Sequence, residues 1–98
     1  MPPVTDKQVE RVRALVSAIP AGSVATYGDI AAAAGLSSPR IVGWVMRTDS
    51  SDLPWHRVIS ASGQPARHLA TRQLELLRSE GVLANDGRIT ISDARHRF

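Results

Sequence analysis

Three helix-start signals crowd the first half of this chain, and their spacing leaves little freedom in how it can fold. Thr5-Asp6-Lys7-Gln8 has the spacing of a capping box, in which side chain and backbone cap each other. Behind it Val9, Val12, Leu15, Val16 and Ile19 recur at helical intervals and define one buried stripe, which Pro20 and Gly22 stop. Val24-Ala25 is expected to be briefly extended. Thr26-Tyr27-Gly28-Asp29 opens a second helix, with Asp29 at the third helical position, where the backbone dipole favours an acid. That helix runs through Ile30 and Ala31–Ala34 and ends at Gly35. Leu36-Ser37 then leads to Ser38 as N-cap, with Pro39 at the first helical position, where its missing N–H costs nothing.

The third helix, about Pro39 to Thr48, has two faces. Ile41, Val42, Val45 and Met46 point one way, and Arg40, Gly43, Trp44 and Arg47 the other. Two short helices joined by a Gly-containing turn, the second with arginine on its outer face, read as a helix-turn-helix. An ordinary helical hairpin with a solvated basic face satisfies the same pattern. A mid-helix glycine costs about 1 kcal/mol against alanine, and close approach of a second backbone at Gly43 is one good reason to tolerate it.

Thr48–Leu53 reads as a polar loop and Ile59–Ala66 as irregular, with Gly63 and Pro65 as breakers. Thr71–Glu80 is expected to be a last helix burying Leu74 and Leu77, joined by Leu69 and Leu76, and capped by Gly81. Val82-Leu83, Asn85-Asp86-Gly87 and Arg88–Ile91 predict a hairpin around a tight Asp-Gly turn. The polar segment Ser92–Phe98 is expected to fray. The fold class that follows is mainly α: a winged-helix-like DNA-binding domain with a helix-turn-helix and a small C-terminal β-hairpin. With 98 residues, one domain and one core are expected over 1–98, and nothing requires more than a monomer.

Composition narrows the function. Of the 12 Lys and Arg residues only Lys7 is a lysine, and arginine binds phosphate bidentately and stacks on bases, which lysine does poorly. With a net charge of +3 and pI near 10.6, this suits a nucleic-acid partner. There is no cysteine, which removes disulfides, Cys-ligated zinc and thiolate chemistry together. Three scattered histidines give no metal-binding spacing, so neither metal nor cofactor is expected. No apolar run reaches the length of a membrane span, and the N-terminal residues lack a signal-peptide plan, so a cytoplasmic protein, nucleoid-associated when on DNA, is the expectation.

Pro54-Trp55-His56-Arg57-Val58 sets a flat indole beside an imidazole and a guanidinium. The proline fixes its own φ, so the direction of Trp55 is set by backbone, which suits a pocket that takes a flat heterocycle by stacking. Alone, the same stretch also fits a core tryptophan flanked by surface residues.

Taken in order, Ile19-Pro20-Ala21-Gly22-Ser23-Val24-Ala25-Thr26-Tyr27-Gly28-Asp29-Ile30-Ala31, Pro39-Arg40-Ile41-Val42-Gly43, Pro54-Trp55-His56-Arg57-Val58 and Leu76-Leu77-Arg78-Ser79-Glu80-Gly81 resemble the DNA-binding domain of O6-alkylguanine-DNA alkyltransferases. The resemblance spans roughly residues 5 to 81. Active members carry Pro-Cys-His-Arg, whose thiolate accepts the alkyl group; here that position is Trp55. An indole nitrogen has no available lone pair to attack with, so the chain resembles the alkyltransferase-like class, and no catalytic residue is expected.

The resemblance implies double-stranded DNA containing O6-alkylguanine as partner. It implies that Tyr27 crowds the phosphate 3′ to the target and that Arg40 enters the stack as a finger, with Thr26, Ser38, Gly43 and Arg47 along the same DNA-binding surface. Trp55, Tyr27, Val58, Pro54 and Arg67 would line the lesion pocket, although a plain surface role for Arg67 fits equally. His56 and Glu80 match a proton-relay pair that has no thiol to serve and are expected, with Arg57, to persist as a polar network. Gln64-Pro65-Ala66-Arg67-His68 replaces a Gly-Tyr-rich stretch, implying a wider pocket wall. Trp44 stands where relatives tend to have a smaller residue and suits either the sugar-phosphate backbone or a partner surface. The expected function is a non-enzymatic sensor that flips the damaged nucleotide and directs it to another pathway, nucleotide excision repair. A glycosylase-like enzyme using His56 and Glu80, or a winged-helix transcription regulator, are the alternatives.

Overall fold

The computed structural model describes residues 4–98; Met1–Pro3, included in the single-domain and leader readings, lie outside the described residues. Helix α1, Asp6–Ser17, begins at the expected capping box, with the Thr5 hydroxyl oxygen accepting from Gln8 N–H and the Gln8 side chain accepting from Thr5 N–H. Val12, Leu15, Val16 and Ile19 are buried. Strand β1, Ala25–Thr26, lies one residue later than the expected extended stretch and leads directly into α2, Tyr27–Ala33. Here Thr26 and Asp29 form the second capping box.

Helix α3, Arg40–Thr48, packs on α1 and α2 to complete the helix-turn-helix. Its hydrogen bonding makes Pro39 the cap, one residue beyond the expected Ser38. Pro39 already has helical dihedrals, and Ser38 Oγ accepts from Arg40 N–H at 3.2 Å, so the serine still satisfies an otherwise orphaned donor. Val42 and Val45 are buried, and Trp44 is exposed on the outer face.

The chain then makes a short 3-10 turn, Trp55–Arg57, and a strand β2, Val58–Ile59, whose second residue opens the stretch Ile59–Ala66 that was expected to be irregular. β2 pairs in parallel with β1, Ala25 opposite Val58 and Thr26 opposite Ile59. This seam divides two cores, because successive side chains along a strand point to opposite faces. Ala25 and Val58 face the core built by α1, α2 and α3; Val24 and Ile59 face a second core with Leu77, Val82 and Ile89.

A second 3-10 turn, Arg67–Leu69, precedes α4, Ala70–Ser79, so Leu69 is exposed rather than packed. Leu77 is buried and Leu74 and Leu76 are half-buried. α4 ends with Gly81 donating to Arg78 and Val82 to Leu77, a Schellman closure. Strands β3, Ala84–Asn85, and β4, Arg88–Ile89, form the expected antiparallel hairpin.

The segment after the hairpin is ordered, which corrects the expectation of fraying. Ile91–Ala94 forms a short helix, α5. Val24 N–H donates to Ala94 C=O and accepts at its own carbonyl from His96 N–H, both at 2.8 Å. Arg95 forks onto Asp29. Polar composition pointed to solvent, but the polar groups here find partners distant in sequence. The architecture is mainly α and winged-helix-like, with a helix-turn-helix and one antiparallel hairpin.

Candidate nucleic-acid interface

A cleft of about 800 Å3 opens between α2, α3, the Trp55 turn and the start of α4. Trp55, Met46, Val58 and Leu69 give it apolar walls, and Tyr27, Arg40, Gly43, Arg47 and Ser50 bring polar groups and open backbone to it. That size and mixture fall within the range of small-molecule sites. Each part is aimed by a local cause. Tyr27 is the first residue of α2, so the Thr26–Asp29 box that starts the helix also sets its direction. Arg40 begins α3 and Arg47 lies two turns further along the same face. Both are exposed and make no ion pair with a described residue, so their charge is available at the cleft. Burial pushes the Tyr27 phenol up, against the opposing pull of Arg47, so it is a neutral donor at physiological pH.

Trp55 is held from several sides. Its N–H donates to Leu53 C=O at 2.7 Å, with Pro54 at φ −73°. Arg13 on α1 bonds the Asp49 carbonyl and forks onto Asp52, bracing the loop that leads into Pro54. Leu53, expected in a polar loop, is buried. From α4, Gln73 donates both amide hydrogens to main-chain carbonyls, His56 at 3.0 Å and Val58 at 2.9 Å. Buried polar groups require such partners, and these two pin the turn to the helix. Gln73 also lines the cleft. Sequence reading missed it, although a polar residue one turn before Leu77 on an apolar stripe was its signal.

His56 and Arg57 are not cleft walls; both engage Glu80. His56 Nε2 lies 2.9 Å from Glu80 Oε2, and Arg57 donates through Nε at 3.0 Å and Nη2 at 2.6 Å to the two carboxylate oxygens. Arg57 Nη1 also donates to Ile19 C=O at 2.9 Å. The Arg57 guanidinium pushes the Glu80 carboxyl from 4.5 down to about 2, opposed by burial and helped by His56. The folded state therefore binds fewer protons than the unfolded chain between those values. Stability from Glu80 is complete above about 4.5 and lost as pH falls to about 2, a loss of roughly 2 kcal/mol after allowing for solvent screening. Urea unfolding across that window should show this slope, and Glu80→Gln should flatten it; an unchanged slope would contradict the pairing.

The remaining expected site residues are placed differently. Thr26 is buried, and its hydroxyl oxygen accepts from Asp29 N–H, so it orients Tyr27 instead of offering its side chain to a partner. Ser38 likewise caps Arg40. Pro54 directs Trp55 but is not a wall of the cleft, and Arg67 lines a smaller neighbouring cavity of about 360 Å3 with Tyr27, Val58 and Gln64.

The chain matches the family described as 6-O-methylguanine DNA methyltransferase, DNA binding domain, over residues 7–82. It is 39% identical over 101 residues to the DNA base-flipping protein of Escherichia coli K12, across 95% of this chain and 77% of that protein. It is 37% identical over 84 residues to alkyltransferase-like protein 1 of Schizosaccharomyces pombe, across 79% of this chain and 78% of that one. Its fold matches that of S. pombe Atl1 in complex with damaged DNA containing O6-carboxymethylguanine, with a TM-score of 0.85 and 29% identity over 98% of this chain and 100% of that chain. Fold, motif order and these likenesses agree: the chain belongs to the family of 6-O-methylguanine DNA methyltransferase DNA-binding domains.

Proposed function

We propose that this protein is a non-enzymatic sensor, acting as a single-domain monomer, that binds duplex DNA containing O6-alkylguanine and takes the flipped base into the Trp55 cleft. The observation that carries this reading is Trp55 itself, an unreactive aromatic wall in a cleft bordered by Tyr27 and two uncompensated arginines. With no cysteine in the chain, there is no thiolate to accept an alkyl group. Neither His56 nor Glu80 lines the cleft, and Glu80 stays ionised and bound to Arg57 far below neutral pH, so it has no proton to give and the pair is not placed against a base held there. That supports binding over glycosylase chemistry.

Energetics favour selectivity. Extruding a base costs a few kcal/mol, and less when its pairing is weakened; stacking on an aromatic returns about 1–3 kcal/mol. The two are close, so a well-paired guanine stays in the helix and an alkylated one leaves it. Tyr27 crowds the backbone, Arg40 fills the vacated space, and the exposed complex is passed to nucleotide excision repair.

Binding of a duplex with one O6-methylguanine and of its guanine control, at matched salt because phosphate contacts are salt-dependent, tests this. At least a tenfold preference is expected, and equal affinities would end the reading. Methyl-labelled DNA should leave no label on the polypeptide. Arg40→Ala should lower lesion affinity about tenfold, near 1.4 kcal/mol, and unmodified-duplex affinity by about twofold; proportional losses would contradict the finger role.

A further inference from the structure

The segment that follows the hairpin lies beyond residue 82, where the family match ends, yet it is tied to the start of α2, the helix whose first residue, Tyr27, lines the cleft. Arg95 donates through Nε to Asp29 Oδ2 at 3.0 Å and through Nη2 to Asp29 Oδ1 at 2.9 Å. Such a bidentate fork fixes direction as well as distance. Asp29 is the residue whose Oδ2 also accepts from Thr26 N–H, at 3.2 Å, to close the capping box of α2. α2 has 7 residues, too few to hold a helix by itself, and Tyr27 is its first residue. The main chain adds a second tie, since Val24 exchanges two hydrogen bonds with Ala94 and His96 just before β1. β1 in turn pairs with β2, immediately after the Trp55 turn.

We infer that Arg95 is a positioning residue for Tyr27: residues 91–96 form a strap that fixes the start of α2, and with it the tyrosine that meets the DNA backbone. The inference rests on the function proposed above and deepens it. The Arg95 and Asp29 side chains are 42% and 22% exposed, so the pair adds little to global stability; its effect lies in the direction of one helix end.

The test uses the full chain and the variants Arg95→Ala, Asp29→Asn and their combination, with Arg97→Ala as a control in the same segment. Asp29→Asn keeps an acceptor for Thr26 N–H while removing the charged fork. In the free proteins, hydrogen exchange at the Thr26 and Asp29 amides should be at least fivefold faster in Arg95→Ala and in Asp29→Asn. Exchange in α1 and α4 should be unchanged, and the combination should add nothing to either single change. Unaltered exchange at Thr26 and Asp29, or additive effects, would overturn the strap. On DNA, the preference for the O6-methylguanine duplex over its guanine control should fall about fivefold in Arg95→Ala, while unmodified-duplex affinity matches that of Arg97→Ala. Equal losses on both duplexes would show Arg95 to be a phosphate contact and would also overturn it. If Arg95→Ala does not fold, Arg95→Lys, which keeps the charge, loses the bidentate fork and leaves the Asp29 cap untouched, replaces it in both comparisons. The exchange arm needs no DNA, so a wild-type protein without lesion preference would defeat the proposed function and leave the strap to be judged by exchange alone.

Discussion

Arg57→Ala should lower unfolding stability by about 4 kcal/mol. Arg57 sits at a junction. Its guanidinium reaches the last turn of the α1 stripe through Ile19 C=O and the end of α4 through both oxygens of Glu80, and its own backbone is the 3-10 turn that carries Trp55. The two side chains are 18% and 14% exposed, so the loss does more than dissolve a surface pair. Among the described residues, removing the guanidinium leaves a mostly buried carboxylate with only His56 and a long 3.5 Å contact from Gly22 N–H. It also leaves the Ile19 carbonyl without that donor. Each is a desolvated group stripped of a partner, and such groups are costly. Arg57→Lys restores charge without the fork and should recover about half. Urea unfolding at pH 7 measures both, with the denaturant slope expected to stay constant. A loss under about 1 kcal/mol for Arg57→Ala would show that solvent already carries most of the pair.

That junction also marks the boundary of what the amino-acid order reveals. Both capping boxes, the hydrophobic stripe of α1 and the Asp-Gly hairpin are local: their signals lie within a few residues of the structure they make. The pairing of Ala25–Thr26 with Val58–Ile59 joins stretches separated by a helix-turn-helix and a loop, and two-residue strands carry no period to detect. The Arg95–Asp29 fork spans 66 positions, and in sequence Arg95 is one arginine among many. The cleft was legible where motif order placed it, since Tyr27, Arg40, Gly43, Arg47, Trp55 and Val58 all meet there. Met46 falls by its spacing on the face opposite Arg40 and Arg47 yet also lines the cleft; Gln73 carries no motif because its role depends on which face of α4 turns toward the site, and Ser50 reaches it from the loop after α3. Thr26 and Ser38 share the interface motifs but spend their hydroxyl groups on caps.

Gly63→Ala should destabilise the fold by about 3 kcal/mol, more through contact than through conformation. Gly63 has φ +79°, and a Cβ there would lie 2.0 Å from the Ile89 carbonyl oxygen. The glycine carbonyl accepts from Ile89 N–H at 2.8 Å, so loop and hairpin approach backbone to backbone and neither can swing aside like a side chain. Gly87 provides the control. It has φ +73° in the hairpin turn but open space around its Cβ position, so Gly87→Ala should show only the left-handed penalty of about 1 kcal/mol. The difference between the two, about 2 kcal/mol, isolates the contact. Separating the hairpin from Gly63 would also free Ser60, Ser62, Gln64 and Pro65, which wall the smaller cavity beside Tyr27 and Val58. Gly63→Ala should therefore weaken lesion binding at temperatures well below its melting point, whereas Gly87→Ala should leave it within twofold of wild type. Equal stability losses in the two variants would mean that the loop shifts freely, and that the hairpin does not brace the cavity wall.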